Sequence, residues 1–261
     1  MSRSHSQYSR ASDRKRLSQN FLSDPHLARR LTADVGPDDL VVEVGPGGGM
    51  LTAPLLDRAR RVLAYEKDRH FADRLRSRYG HLGHFRLRTG DFRDAEPPRE
   101  PFRVVANVPF AITTDIVRWC LDAPDLTTAS LVVQREFARK HTGDYGRWSK
   151  LAVDAWPEHE LALGLRIGRE QFRPVPKVDA AVLHLTRRPK PLLPRRALRD
   201  YRDMVALGFT GVGGSLASSL RQAVSARAAA RACAEAGIAK DAPVGLVHPD
   251  KWIALYKALT R

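Results

Sequence analysis

Five short apolar runs alternate with amphipathic helical segments between residues 38 and 134, and few folds accommodate that pattern. The runs are DDLVVEVG (38–45), RRVLAYE (60–66), HFRLRTGD (84–91), RVVANVP (103–109) and ASLVVQ (129–134). Between them, KDRHFADRLRSRY (67–79) and TTDIVRWCLD (113–122) read as helices. Short β-branched runs separated by helices predict a parallel sheet covered on both faces. LALGLRIG (161–168) and AAVLHLTRR (180–188) read as two further strands with no helix between them, an antiparallel edge on the same sheet.

The alternation stops at RRPKPLLPRR (187–196), where three prolines among basic residues predict a linker. Beyond it the pattern is helical throughout. SLASSLRQAVSARAAARACAEAG is rich in alanine, and Gly237 stands where a helix would stop. In HPDKWIALYKAL, Trp252, Leu255, Tyr256 and Leu259 share one helical face, a core stripe. Residues 1–16, rich in Ser and Arg, have little to bury and read as a disordered basic tail, either solvated or an arm that touches phosphates. The expected organisation is therefore a tail (1–16), an α/β domain (17–188) and a small all-helical C-terminal domain (189–261).

Charge narrows the partners. Forty-four Lys and Arg face 29 Asp and Glu, a formal charge of +15, which draws polyanions and nucleic acid above all. Cys120 and Cys233 are far apart and make neither a disulfide framework nor a metal cluster. No apolar run approaches the roughly 18 residues that a membrane span needs. The N-terminus lacks the apolar stretch of a secretory signal, so a cytoplasmic protein is expected.

Chemistry gathers at the strand ends. EVGPGGG (43–49) follows the first strand, where glycines let backbone approach a ligand beside a helix N-terminus. It is a poor dinucleotide fingerprint, because Met50 stands where Gly or Ala is needed. Glu66 closes the second strand, placed to accept from ribose hydroxyls, and Asp91 closes the third, placed to accept from an exocyclic amine. Asn107 closes the fourth. Gly45, Glu66, Asp91 and Asn107 thus fall along one carboxyl edge, which points to a nucleoside site.

LSQNFL (17–22), EVGPGGG, YEKD (65–68), GDF (90–92) and NVPF (107–110) together resemble the ribosomal RNA adenine N6-methyltransferases. NVPFAITTDIVRW, LVVQREFARKHTGDYGRWSKL (131–151) and FRPVPKVDAAV (172–182) resemble the erythromycin-resistance (Erm) branch. The resemblance covers about residues 16–260. It implies a Rossmann-like class I S-adenosylmethionine-dependent methyltransferase domain acting on one adenine of 23S rRNA. The implied enzyme uses no metal, works as a monomer and confers macrolide, lincosamide and streptogramin B resistance.

By position, the resemblance gives Asn20, Leu22 and Gly45 to the cofactor's methionine end. Glu66 goes to its ribose, Asp91 and Phe92 go to its adenine, and Gln19, Gly47, Lys67 and Asn107 are counted with the cofactor site. Asn107, Val108, Pro109 and Phe110 form the catalytic corner, with Phe110 stacking on the target base and Phe172 on the opposite face. The basic residues Arg135, Arg139, Lys140, Arg147, Lys150, Arg173, Lys177, Arg221, Arg227 and Arg231 read as a phosphate-tracking groove. The alternatives are the small-subunit rRNA dimethyladenosine transferases and a non-catalytic nucleic-acid-binding relative. Ser18 before QNFL, and NVPF rather than NLPY, favour the Erm branch.

Overall fold

The structure is a computed structural model that describes residues 20–261, so the basic tail and Gln19 lie outside the described residues. Its main sheet has the order β4-β3-β2-β5-β6-β9-β7. The strands are β2 (Leu40–Val44), β3 (Arg61–Glu66), β4 (Phe85–Thr89), β5 (Phe102–Asn107), β6 (Leu126–Gln134), β7 (His159–Ile167) and β9 (Ala180–Arg187). The ladders from β4 to β6 are parallel. All seven predicted strands are present within a few residues of their expected ends. A second, two-stranded antiparallel ribbon joins β1 (Phe21–Leu22) to β8 (Phe172–Arg173).

Every residue of β2 is buried, which is why it reads as an unbroken apolar run. Helix α1 (Pro25–Leu31) follows the ribbon, and α2 (Thr52–Leu56) follows the glycine loop. Helix α3 (Arg69–Tyr79) starts where the Asp68 carboxylate accepts from the His70 and Phe71 amides, and it buries Phe71, Ala72, Leu75 and Tyr79. Helix α4 (Thr113–Asp122) buries Ile116, Val117 and Cys120.

The chain forms two compact units. The first is made of residues up to Arg135 together with Gly164–His184. The second is Glu136–Leu163 with Leu185–Arg261. The second unit therefore does not begin after the proline-rich linker. It takes in α5 (Arg135–His141) from its second residue and α6 (Lys150–Ala155), which sequence alone assigned to the α/β domain. The reason is apolar. Val153 and Trp156 belong to the core built with α7 (Leu198–Gly208), α8 (Leu216–Leu220), α9 (Ala226–Glu235) and α10 (Pro249–Leu259). The Tyr201 hydroxyl donates to the Val153 carbonyl at 3.0 Å, and Trp156 Nε1 donates to Asp250 at 2.7 Å.

The alanine-rich stretch is not one helix. It breaks over residues 221–225, and Ser225 starts α9 by accepting from the Ala228 amide. Gly237 stops α9 as expected. At φ +64 it donates to the Ala234 carbonyl while Ile238 donates to Cys233, a Schellman closure. Trp252, Leu255 and Tyr256 are buried on one face of α10, and Leu259 packs against the same core. Both cysteines are buried and free. Among the described residues no helix is long and apolar enough to cross a membrane.

Gly208, the last residue of α7, sets helix propensity against packing. An added Cβ would run into the Trp252 ring and come within 2.7 Å of Leu216 Cδ1. Propensity favours alanine by about 1 kcal/mol, but overpacking costs about 1–3 kcal/mol. Gly208→Ala is expected to lower stability in urea unfolding; a stabilised variant would show that the Trp252 ring can yield.

Candidate active site

The corner at Asn107-Val108-Pro109-Phe110 is shaped by its neighbours. Strand β5 ends at Asn107, and the Val108 amide is spent on the Val132 carbonyl of β6 at 3.0 Å. Pro109 has no N–H and turns the chain into a single 3₁₀ turn, Phe110–Ile112, ahead of α4. Thr113 Oγ1 donates to the Phe110 carbonyl at 3.2 Å and fastens that turn.

Asn107 Nδ2 donates to the Asn20 carbonyl at 2.8 Å. Only the amide nitrogen can donate to a carbonyl, so Oδ1 is left as the acceptor. Among the described residues no group donates to Oδ1 or to the Val108 carbonyl. A cavity at this corner is lined by Asn20, Phe21, Gly45, Glu66 and the four corner residues. Phe110 is half-buried there.

Glu66 is only 3% exposed and, among the described residues, has no cationic partner. Its Oε2 accepts from the Gly47 amide at 2.9 Å and its Oε1 from the Asp68 amide at 2.8 Å. Burial nevertheless raises its pKa above the ordinary value. A buried carboxylate that lacks a counter-ion among the described residues thus borders the cavity, which suits the paired hydroxyls of a ribose.

An adjoining cavity of about 140 Å³ is lined by Phe21, Leu22, Glu43, Gly45, Pro46, Gly48, Met50, Leu51, Phe71 and Asn107. Phe21 borders both cavities, a residue that sequence reasoning passed over between Asn20 and Leu22. Its ring lies 5.2 Å from that of Phe71. On Gly47, at φ +53, an added Cβ would stand 2.6 Å from Phe21 Cε1. The glycine is thus required by this ring as well as by its backbone angle. The only earlier signal was the apolar pair Phe21-Leu22 behind a polar segment.

Three expected contacts are not available here. Phe172 is fully buried and pairs with Leu22 across the ribbon, so its ring offers no face to a base. The Phe92 ring is enclosed by Trp119 at 4.6 Å and Tyr65 at 5.4 Å and is 4% exposed. Asp91 has no acceptor to spare. Its Oδ1 accepts from the amide and Nε of Arg93, and its Oδ2 from Arg93 Nη2 and Lys67 Nζ, at 2.6–3.1 Å. Those bonds, Arg93 first and then Lys67, hold its carboxyl well below the usual carboxylate range. Lys67 is thereby an ion-pair partner of Asp91 at 2.6 Å, rather than a free cation beside Glu66.

The expected RNA-contacting residues divide between the units. Arg135, Arg173 and Lys177 belong to the first, and the other seven to the second. Arg139 is paired with Asp144 and lies 3.8 Å over the Tyr145 ring, Lys150 is paired with Asp154, and Arg231 is paired with Glu235. Arg173 donates to the Glu170 and Phe172 carbonyls, and Arg221 donates to Ser218 Oγ. Lys140, Arg147, Lys177 and Arg227 are exposed and make no ion pair among the described residues.

Behind the cavity, Glu43 is 1% exposed and accepts from Thr52 Oγ1 at 2.7 Å. Burial pushes its carboxyl up to about 8, so it is largely protonated at neutral pH. A raised folded-state value contributes stability below the ordinary value, which is lost as pH climbs through about 8. Glu43→Gln keeps the shape of the neutral acid. It is expected to flatten the fall in stability between about pH 4.5 and about pH 8 in denaturant titrations. A wild-type limb already flat would show that Glu43 carries its charge.

The profile of the family described as ribosomal RNA adenine dimethylase matches residues 10–261. An rRNA methyltransferase of Streptomyces thermotolerans is 48% identical over 254 residues, covering 96% of this chain and 85% of that protein. An rRNA adenine N-6-methyltransferase of Aeromicrobium erythreum is 48% identical over 250 residues, covering 95% and 74%. The crystal structure of the 23S rRNA methyltransferase ErmE superposes with a TM-score of 0.86 at 45% identity, over 93% of this chain and 100% of that one. Profile, identity and fold agree over nearly the whole length, and the chain belongs to the ribosomal RNA adenine dimethylase family.

Proposed function

We propose that this chain transfers a methyl group from S-adenosylmethionine to N6 of one adenine in 23S rRNA, and that the modification confers macrolide, lincosamide and streptogramin B resistance. The observation that carries the reading is the pair of unengaged carbonyl acceptors, Asn107 Oδ1 and Val108 O, at one corner beside a buried carboxylate. The family membership and the relatives' activities support it. Acting as a cytoplasmic monomer on RNA not yet fully assembled into ribosomes is part of the same proposal.

The cofactor supplies an electrophilic methyl on a sulfonium. Glu66 accepts from the ribose hydroxyls, while Asn20, Phe21, Gly45 and Gly47 border the remainder. Asp91 receives an adenine amine only if Lys67 or Arg93 releases one of its lone pairs. Asn107 Oδ1 and the Val108 carbonyl accept from the N6 amino group of the target adenine. Drawn off the ring plane, that nitrogen localises its lone pair, and the same carbonyl dipoles stabilise the positive charge that develops on it; as the nitrogen–carbon bond forms the sulfur–methyl bond would break, S-adenosylhomocysteine would leave, and the methylated nitrogen would release a proton to solvent. Phe110 stacks on the extruded base, a contact worth about 1–3 kcal/mol. Pro109 keeps the acceptors in place without offering a competing donor. Phe172 acts in this scheme by pairing with Leu22 and so holding the segment that carries Asn20. Lys140, Arg147, Lys177 and Arg227 are the cations most free to meet phosphates.

The test is transfer of labelled methyl to protein-free large- and small-subunit rRNA. Label at one adenine of the large-subunit RNA is expected, and label in small-subunit RNA alone would move the chain to the other branch. Asn107→Ala should lower turnover by about 10²–10³ and leave the cofactor dissociation constant nearly unchanged in calorimetry. Wild-type turnover in that variant would sink the acceptor mechanism.

A further inference from the structure

The connection from β4 to β5 leaves part of the sheet bare. A parallel sheet normally has such crossovers laid over a face as helices. Here residues 90–101 hold one 3₁₀ turn, Phe92–Asp94, and then run through Pro97, Pro98 and Pro101. Three prolines in five residues deny the segment a helix. Helix α3 packs its Tyr79 against Phe85 on the first face of β4. On the second face, α4 reaches Phe102 of β5 through Trp119, at a ring separation of 5.8 Å.

The uncovered part of that second face is a cleft of about 570 Å³. The register pairs Leu63 with Arg86 and Tyr65 with Arg88, so these four side chains rise from the same face. Half-buried Leu63 gives the cleft an apolar floor, walled by Pro97 and Pro98, while Tyr65, 6% exposed and set against Phe92, lies beneath it. Arg86, Arg88 and Arg99 are exposed around it. Glu100 is engaged by Arg60 and Arg61, which leaves Glu96 as the one acidic residue of the lining not so engaged. No ion pair reaches Arg86, Arg88 or Arg99 among the described residues. Two residues along a strand separate Arg86 from Arg88 by about 6.6 Å, a spacing suited to successive phosphates of an extended strand.

We propose that this cleft is an accessory RNA site. It holds a single-stranded segment of the substrate RNA, away from the target adenine, with phosphates on Arg86, Arg88 and Arg99. A base or ribose rests against Leu63, Pro97 and Pro98. Uncompensated guanidinium groups around an apolar floor match a chain that alternates phosphates with flat rings. The inference rests on the proposed function and adds a second point of contact to it.

The experiment compares wild type with Arg86→Gln/Arg88→Gln in binding protein-free large-subunit rRNA across a salt series, with methyl transfer measured in parallel. Two lost phosphate contacts should reduce the slope of log affinity against log salt by about 1.4, at ~0.7 per contact on a single strand. Arg86→Lys/Arg88→Lys should restore most of that slope, which separates lost charge from misfolding. An unchanged slope and affinity, with wild type still methylating, would overturn the accessory site alone. The same loss in Arg69→Gln/Arg74→Gln, on α3, would overturn it too, by reducing the effect to net charge. A loss seen with ribosomal particles but absent with bare RNA would assign the cleft to a protein. A wild type that neither binds nor methylates the RNA would overturn the function itself.

Discussion

An amide side chain carries a donor and an acceptor on one carbon, and a single bond decides which of them Asn107 turns to the cavity. The Asn20 carbonyl takes the Asn107 donor. The acceptor is then left beside the Val108 carbonyl, whose own amide is tied to β6. Reverse the amide and two carbonyl oxygens would meet at Asn20, while a donor would face an amine that needs acceptors. The corner is thus set by a segment 87 residues away in sequence.

That segment needs anchoring, and the anchors form a connected series. Leu22 pairs with the buried Phe172, and Ser23 donates to the Gln171 carbonyl through both its amide and its hydroxyl. Phe21 leans on Phe71 and on the bare α-carbon of Gly47. Gly47 in turn donates to Glu66. The carboxylate suited to the ribose is therefore oriented through the same loop that accommodates Phe21. A change at any of these positions reaches the acceptor pair through packing, without touching it.

The sheet was legible because its central strands are largely buried on both faces and read as β-branched runs, as LVVEV does most plainly. The strand-end residues were legible because a parallel sheet brings its carboxyl ends to one edge. What escaped the sequence depends on partners remote in the chain. Phe172 looks the same whether it is a platform or a core ring, and only the ribbon with β1 makes it core. Asp91 was read as an open acceptor because nothing in GDF says that Arg93 folds back on it and Lys67 reaches across. The unit boundary was missed because the proline-rich linker is a strong local signal. The apolar pull of Val153 and Trp156 toward α7 and α10 is a non-local one.

The second unit is drawn from two stretches of chain with the segment Gly164–His184 between them. During synthesis Val153 and Trp156 leave the ribosome long before Tyr201 and Asp250, their hydrogen-bond partners. Two large apolar side chains must therefore wait, unpartnered, until almost the last helix has been made. A nascent chain that has reached only the proline-rich linker lacks the helices that form their core. The order of synthesis thus makes the burial of Val153 and Trp156 depend on residues made 48 and 94 positions later.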